Sequence, residues 1–153
     1  MSLLPNDATV QAKKESFIPT MRSLVRAYQA FSGYSEAHIR QLDLTPSQFD
    51  VIATLGNTRG MSMGEIGEKT LITKGTLTGV IDRLVSKELV VREIPPDNRR
   101  NVMVQLTPKG QEKFERDFPA HINHIKARFE RLEPSELELL SVLLQRLQQV
   151  FAE

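Results

Sequence analysis

The sequence predicts a mainly α-helical fold with one small β-hairpin, and three patterns lead to this prediction. Long segments at both ends of the chain repeat apolar residues every three or four positions, which is typical of amphipathic helices. Between them lie short segments that begin with helix-capping residues. Two runs rich in valine, isoleucine and leucine, "LVVREI" and "VMVQLT", flank the loop "PPDNRRN" and predict paired strands. We therefore expect a compact lobe at about residues 45–107, between long helices at about 10–40 and 108–152.

The composition fits a single domain over residues 1–153 and excludes several classes of function. The chain is 40% hydrophobic and 25% charged, as ordinary globular proteins are. It contains no cysteine, which excludes disulfides, thiolate metal sites and cysteine redox chemistry. The sequence shows no signal-peptide pattern and no apolar run near the roughly 20 residues of a membrane span. We expect a soluble, cytoplasmic protein without a membrane partner.

Positive charge is concentrated in the middle of the sequence. Lysine and arginine balance aspartate and glutamate at five each in residues 1–58, outnumber them ten to seven in 59–113, and number five against seven in 114–153. The basic part includes the loop 95–101, which carries two adjacent arginines where a plain hairpin turn would have Asn-Gly or Asp-Gly. This distribution favours a nucleic-acid partner.

The first and last helices carry apolar seams that the central lobe cannot cover by itself. In residues 10–40 the seam alternates by four and three positions through Phe17, Met21, Leu24, Tyr28 and Phe31. The last segment, after Pro134, shows a heptad stripe. The two seams either pack on each other within one chain or interleave across a two-fold axis in a homodimer, which we favour. The residues expected at this dimer interface are Met21, Leu137, Leu140, Leu144, Leu147 and Phe151.

Capping signals define the helices of the central lobe. "LTPSQFDVIATLG" begins with Thr45 as N-cap, has Gln48 in position to complete a capping box, and ends at Gly56. In "SMGEIGEKT", Ser62 caps a short helix that should reach about residue 69. Thr73 can cap the next helix, 73–86, whose apolar face consists of Leu77, Val80, Ile81 and Leu84.

The remaining elements are two strands and a long helix. The strands are predicted at 89–94 and 102–107, on either side of the basic loop. Thr107 and Pro108 begin a helix that should run to about Leu132, and Pro119 inside it should kink or split it. Helix, helix, helix, strand, loop, strand is the order of a winged helix-turn-helix, in which the second helix of the pair enters the DNA major groove.

The outward face of helix 73–86 suits that role because it is thin. At 100° per residue, the face opposite Leu77 holds Gly75, Gly79, Asp82 and Ser86. Each glycine costs about 1 kcal/mol relative to alanine within a helix, so two of them indicate a surface that DNA approaches closely. Asp82 would repel phosphate, and we expect it to hold a neighbouring arginine, such as one of the 99–100 loop. The residues of this helix expected to contact DNA are Thr73, Lys74, Gly75, Thr76, Thr78, Gly79 and Arg83.

These segments resemble the multiple antibiotic resistance regulator (MarR) family of bacterial transcription factors over nearly the whole chain. The resemblance is carried by "LTPSQFDVIATLG", "MGEIGEKTLITKGTLTGVIDRLVSKELVVR" and "PPDNRRNVMVQLTPKG" in that order and spacing. It implies a homodimer that binds a pseudo-palindromic operator, usually as a repressor, and releases it when a small aromatic or anionic effector binds. It also implies that Arg100 is the wing-tip arginine in the minor groove, with Arg99 beside it.

Two positions depart from the family pattern. Family wings usually have an aspartate two residues before the tip arginine, where this chain has Asn98, so Asp97 would have to support Arg100 instead. Glu88 follows helix 73–86, which the resemblance makes the recognition helix, at a position where relatives commonly have glycine. If that backbone is left-handed, glutamate costs on the order of 1 kcal/mol there.

Three other classes of function have less support in the sequence. No nucleophile, phosphate-binding loop or Ser-His-acid set indicates an enzyme, and no cofactor is expected. A metal-responsive regulator is an alternative because His121 and His124 lie three residues apart on a helix, and His38 or a carboxylate could complete a site. A winged-helix module that binds only protein is the other. If the family's effector pocket is present, its expected lining is Tyr28, Phe31, Gln48, Ile52 and Phe114.

Overall fold

The structure, a computed structural model, describes residues 4–70, 72–96 and 101–153. These residues confirm a mainly helical fold with a small antiparallel sheet, and no helix among them is long and apolar enough to cross a membrane. The contacts group the chain into two compact units, Met1–Ala37 and His38–Glu153. The elements are α1 Asp7–Ala12, α2 Ile18–Gln41, α3 Pro46–Leu55, β1 Met61–Ser62, α4 Met63–Thr70, α5 Lys74–Ser86, β2 Val90–Glu93, β3 Met103–Leu106, α6 Pro108–Phe129 and α7 Pro134–Ala152.

The N-terminal helix is broken, so the prediction of one continuous helix over 10–40 is wrong at its start. A short helix, α1, is capped by the Asn6 side chain, which accepts from the backbone of Ala8 at 2.8 Å. The long helix α2 begins only at Ile18. Pro19 explains the break, because a helix continued through it would lose the hydrogen bond from residue 19 to the carbonyl of residue 15 and clash with that carbonyl, whereas proline is tolerated in the first turn of a helix.

The capping boxes predicted for the helix-turn-helix are present. The Gln48 backbone N–H donates to Thr45 Oγ1 at 3.2 Å, and its side chain accepts from the Thr45 backbone at 3.1 Å. Ser62 and Glu65 make the same reciprocal pair at α4. Thr73 occupies the N-cap position of α5 as predicted, but its side chain makes no capping hydrogen bond.

The sheet has three strands in the order β1-β3-β2, where only a two-stranded hairpin was predicted. β1 pairs antiparallel with β3, with Met61 opposite Val104. β2 pairs antiparallel with β3, with Val90 opposite Leu106 at one end and Glu93 opposite Met103 at the other. A strand of two residues has no periodicity of its own, and β1 exists because a distant segment pairs with it.

The core joins α3, α4, α5, the sheet and the start of α6. The predicted apolar face of α5 is confirmed, since Leu77, Val80, Ile81 and Leu84 are all buried. Burial of side chains of this size stabilises the fold by about 1.5–3 kcal/mol each. Gly110 lets α6 pack closely, because a Cβ there would lie 2.0 Å from the Leu89 carbonyl oxygen.

The two C-terminal helices differ in how they are packed. α6 runs through Pro119 without a break in the helix, so the predicted split is wrong. It contributes the buried Phe114 to the core. α7 contains no buried residue, and its leucines are largely exposed in the single chain.

Candidate nucleic-acid interface

The outward face of α5 is bare backbone at two points. Gly75 and Gly79 are exposed, and a Cβ added to either would have no heavy atom within 4 Å outside the local helix. Asp82 and Ser86 continue the same exposed face. Glycine at these positions is therefore not required by packing inside the protein. Its effect is to let an external molecule approach the helix backbone.

The N-terminal turn of α5 combines polar side chains with amide groups that no Thr73 side-chain cap covers. Thr73 Oγ1 lies 3.1 Å from Thr76 Oγ1, and Thr78 Oγ1 donates to the Lys74 carbonyl at 3.3 Å. Lys74 is exposed beside them, and Arg83 is exposed further along the helix. A helix N-terminus that carries an exposed lysine suits a phosphate group.

Asp82 pairs with Arg92 of β2, a residue that the sequence analysis did not single out. The Arg92 guanidinium donates to Asp82 Oδ1, with 32% of the arginine side chain and 59% of the aspartate side chain exposed. The expectation that Asp82 holds an arginine is confirmed, and among the described residues that arginine is Arg92. The arginines of the 99–100 loop lie outside the described residues. This bond ties the outward face of α5 to the strand that leads into the wing.

The strands fix where the basic loop leaves the sheet. β2 and β3 pair up to Glu93 and Met103, and Gln105 Nε2 donates to Glu93 Oε1 at 2.6 Å across the hairpin. Pro96 lies in a turn beyond β2. The four residues predicted for the tip and its support lie outside the described residues: Asp97, Asn98, Arg99 and Arg100.

The C-terminal end of α5 is anchored to α6. Glu88 has a left-handed backbone, φ 62°, as its position after the helix indicated. Its carbonyl accepts from Thr107 Oγ1 at 2.6 Å. The Lys87 carbonyl accepts from Lys109 Nζ at 3.1 Å. The recognition-like helix is therefore held at this end by the first residues of α6.

The three histidines form a stacked cluster. His38 Nδ1 lies 2.9 Å from His121 Nδ1, and the His38 and His124 rings stack at 4.2 Å between centroids. Burial lowers the pKa of His121, and the neighbouring His38 and His124 lower it further. Burial and then His124 lower the pKa of His38, and Asp117 partly opposes this.

The metal-site hypothesis gains little from this cluster. In residues 4–70, 72–96 and 101–153, no group of three or more histidine, cysteine, aspartate or glutamate residues could hold a metal ion. Stacked imidazole rings direct their nitrogen lone pairs within parallel planes, whereas a tetrahedral site needs them to converge on one point.

Three of the residues predicted for an effector pocket have structural roles. Ile52 and Phe114 belong to the hydrophobic core. Gln48 is buried and accepts at its side-chain oxygen from both the Thr45 backbone and Lys87 Nζ. Tyr28 and Phe31 lie on α2, with exposed side chains. The pocket remains a prediction.

The contacts of Arg92 and Lys87 could not be predicted from local patterns because they join residues that are distant in sequence. Arg92 is ten residues from Asp82 and Lys87 is 39 from Gln48. The sequence offered one signal for Arg92. It lies on a predicted strand with alternating exposure, and the preceding helix carries Asp82, an aspartate that needs a cationic partner.

Comparison with known proteins gives consistent matches. The model of the MarR family matches residues 44–102. The HTH-type transcriptional regulator MhqR of Bacillus subtilis (strain 168) is 32% identical over 123 residues, which cover 80% of this chain and 85% of the relative.

Solved structures also resemble this fold over most of the chain. BpsR of Bordetella bronchiseptica, whose DNA binding is regulated by 6-hydroxynicotinic acid, gives a TM-score of 0.76 at 29% identity, over 88% of this chain and 96% of that chain. A mutant MarR from E. coli, complexed with operator DNA, gives a TM-score of 0.76 at 26% identity, over 87% of this chain and 98% of that chain. These matches confirm the winged helix-turn-helix fold with long terminal helices.

Proposed function

The chain belongs to the MarR family of transcriptional regulators, and we propose that it represses transcription by binding a pseudo-palindromic operator as a homodimer. A small-molecule effector releases it from DNA. No catalytic step is part of this function. The observation that carries the proposal is the outward face of α5, where two exposed glycines leave the backbone open between polar and cationic side chains.

The N-terminal half of α5 would enter the major groove. Thr73, Lys74 and Thr76 lie at the end that reaches base edges and phosphates in this class of domain. Thr78 and Arg83 flank the two glycines. Lysine recognises guanine acceptors or phosphate, and threonine contacts several bases or a thymine methyl group. Arg99 and Arg100 would enter the adjacent minor groove from the wing.

A second copy of the chain would cover the seam of α7. Leu140, Leu144 and Phe151 are 41%, 44% and 80% exposed in the single chain. A contiguous apolar stripe at heptad spacing is costly to leave in water, and its burial drives association. Met21 on α2 is also exposed, at 47%, and would join the interface. Two related half-sites in the operator would then match the two-fold axis of the dimer.

Effector control is supported by relatives. The DNA binding of BpsR is regulated by 6-hydroxynicotinic acid, and BpsR shares 29% identity and most of its length with this chain. Another similar structure, NadR, was solved with 4-hydroxyphenylacetate. Both molecules are small aromatic acids. We infer a ligand of this chemical class for this chain.

The test is fluorescence anisotropy with a labelled duplex from the region upstream of the chain's own gene. A scrambled duplex of the same length and composition is the control. We expect at least about a thousandfold tighter binding to the upstream duplex at physiological salt, which is typical of specific regulators. Small aromatic acids are then titrated into the complex. Equal affinity for both duplexes even at low salt, where phosphate contacts are strongest, would contradict the proposal.

A further inference from the structure

A cationic cavity lies at the C-terminal end of α5, at the other end of the helix from Thr73 and Lys74. It has a volume of about 440 Å³, which is within the usual range for small-molecule sites. Lys109, Lys113 and Arg116 line one wall from α6, and Lys87 faces them from the end of α5. We propose that this cavity binds a small multivalent anion, a polycarboxylate or a phosphate.

The three α6 cations share one face of their helix. Residues 109, 113 and 116 are spaced by four and three positions, so their side chains project from the same side. Phe114, which packs into the core, projects from the other side. The lining of the cavity therefore includes neither Ile52 nor Phe114 of the predicted effector pocket, although Gln48 of that pocket accepts from its Lys87. Leu89 supplies an apolar patch in its wall.

The ammonium groups of Lys87 and Lys109 are oriented by uncharged acceptors. Lys87 Nζ donates to the Asp43 carbonyl at 2.9 Å and to Gln48 Oε1 at 3.2 Å. Lys109 Nζ donates to the Lys87 carbonyl at 3.1 Å. An ammonium has three N–H donors, so these contacts orient the groups but leave their charge and some donors for a ligand. Such preorganisation lowers the cost of binding.

Four carboxylates lie in or near the cavity, as many as its cationic side chains, but only two of them belong to its lining. The lining contains four cationic side chains and two anionic ones, Asp43 and Glu112. Behind it, buried Asp117 lies 2.8 Å from Lys113 Nζ and 3.0 Å from Arg116 Nε. Glu88, which is 83% exposed, is 3.9 Å from Lys109 Nζ, and such an exposed contact is easily displaced by a ligand.

Asp117 fixes two of the cations. Burial raises the pKa of its carboxyl, but hydrogen bonds from Lys113 and Arg116 outweigh burial and keep the pKa below its ordinary value. The carboxylate therefore stays charged at neutral pH. Arg116 uses its Nε–H for Asp117, which leaves the N–H groups of its terminal nitrogens for a bidentate contact with a carboxylate or phosphate.

An anion bound in the cavity would act directly on the C-terminal end of α5. Lys87 is the C-cap residue of α5, and Lys109 Nζ donates to the Lys87 carbonyl. An anion that draws Lys109 toward itself weakens that contact and loosens the attachment of α5 to α6. The consequence for DNA, a lower affinity in the bound form, rests on the proposed function.

Calorimetric titration of the full chain with inorganic phosphate and with citrate tests the site without DNA. Each is compared with sodium chloride at equal ionic strength. We expect one or both anions to bind with measurable heat and to raise Tm by at least about 2 °C above the chloride control. Binding by phosphate alone or by citrate alone would identify the class of anion.

Matched double variants locate the binding. K109Q/R116Q removes two cations whose side chains are 64% and 65% exposed, so the fold should tolerate it. We expect at least a tenfold loss of anion affinity. K126Q/R131Q removes the same charge from exposed positions near the end of α6 and should keep the affinity. No binding beyond chloride, or an equal loss in both double variants, would overturn the proposal.

The effect of the anion on DNA binding is measured separately. With the upstream duplex, we expect the anion to weaken binding at least threefold beyond chloride in the wild type and not in K109Q/R116Q. If the anion binds without this effect, the proposed coupling to α5 is overturned, but the anion site itself stands. Absence of all specific DNA binding would contradict the proposed function, while calorimetry would still decide the site.

Discussion

Arg92 on β2 donates to the carboxylate of Asp82 on the outward face of α5. The pair joins the element proposed for the major groove to the strand that leads to the wing. Because both side chains are partly exposed, their contact should contribute only about 0.2–1 kcal/mol to stability. Its value would lie in orienting two DNA-binding elements relative to each other.

Asp82→Asn should therefore reduce specificity more than stability. We expect the free energy of unfolding to fall by less than about 1 kcal/mol. The ratio of affinities for the upstream and scrambled duplexes should fall several-fold. Removal of a carboxylate reduces repulsion of every DNA sequence, while β2 and the wing lose their contact with α5 through Arg92. Anisotropy with both duplexes measures the ratio. In a cycle with Arg92→Gln, additive effects of the two changes would show that the pair is not coupled.

A larger side chain on the glycine face of α5 should raise the stability of the fold and lower its affinity for DNA. Gly79→Gln places a better helix former at an exposed site without a clash, so the fold should gain roughly 0.5–1 kcal/mol. DNA affinity should fall at least tenfold because the side chain holds the helix away from the groove. Thermal unfolding and anisotropy measure the two effects.

Gly33→Gln is the matched control for that change. Gly33 is also exposed in a helix with nothing within 4 Å of an added Cβ, and it lies opposite the apolar seam of α2. It should gain similar stability and keep its affinity for DNA. Loss of affinity in both variants, or in neither, would remove the glycine face from the recognition surface.

Local signals in the sequence predicted the helices well, and pairing between distant segments was the part that could not be predicted. Thr45 and Ser62 define helix starts through residues three positions away, so their capping boxes were readable. β1 exists only because Met61 meets Val104, 43 positions further along. Pro19 is a local signal in the sequence for the start of α2. At the site, the glycine face was predictable from helical geometry, but the partner of Asp82 was not.

The wing tip should contribute affinity without contributing to the fold. Arg100→Ala is expected to weaken binding to the upstream duplex by roughly 1–3 kcal/mol and to reduce the salt slope of binding by about one. Thermal unfolding and the oligomeric state should not change. Arg131→Ala, which removes an exposed arginine near the end of α6, is the control. Equal losses in both variants would mean that only overall charge matters.

The seam of α7 should set the oligomeric state. Leu140→Asp/Leu144→Asp puts two charges into the stripe, and because α7 contains no buried residue, the core of the single chain should tolerate them. Light scattering coupled to gel filtration should show monomers, with DNA affinity reduced at least a hundredfold by the loss of one half-site. Gln145→Asp, on the other side of α7, should remain a dimer. A stable dimer of the double variant would refute the seam as the interface.

The histidine cluster should make stability fall as the pH is lowered. The pKa values of His38 and His121 lie below 6.5 in the folded chain, mainly because of burial, while the unfolded chain keeps ordinary values. In the window between the folded and unfolded pKa values the unfolded chain binds more protons, so stability is complete above pH 6.5 and declines toward pH 5.5. The slope is at most about 1.4 kcal/mol per pH unit for each histidine.

Urea denaturation at pH 7.5, 6.5 and 5.5 measures this slope at constant protein concentration. His38→Gln should flatten it, because one of the titrating rings is lost and the other loses a cationic neighbour. Burial raises the pKa of Asp50, which favours the folded state at acid pH and opposes the histidines, so Asp50→Asn should steepen the slope. The pKa of Asp117 is lowered, so its contribution is lost only in more acidic solution. Stability that stays constant or rises between pH 7.5 and 5.5 in Asp50→Asn would show that the rings accept protons in the folded state.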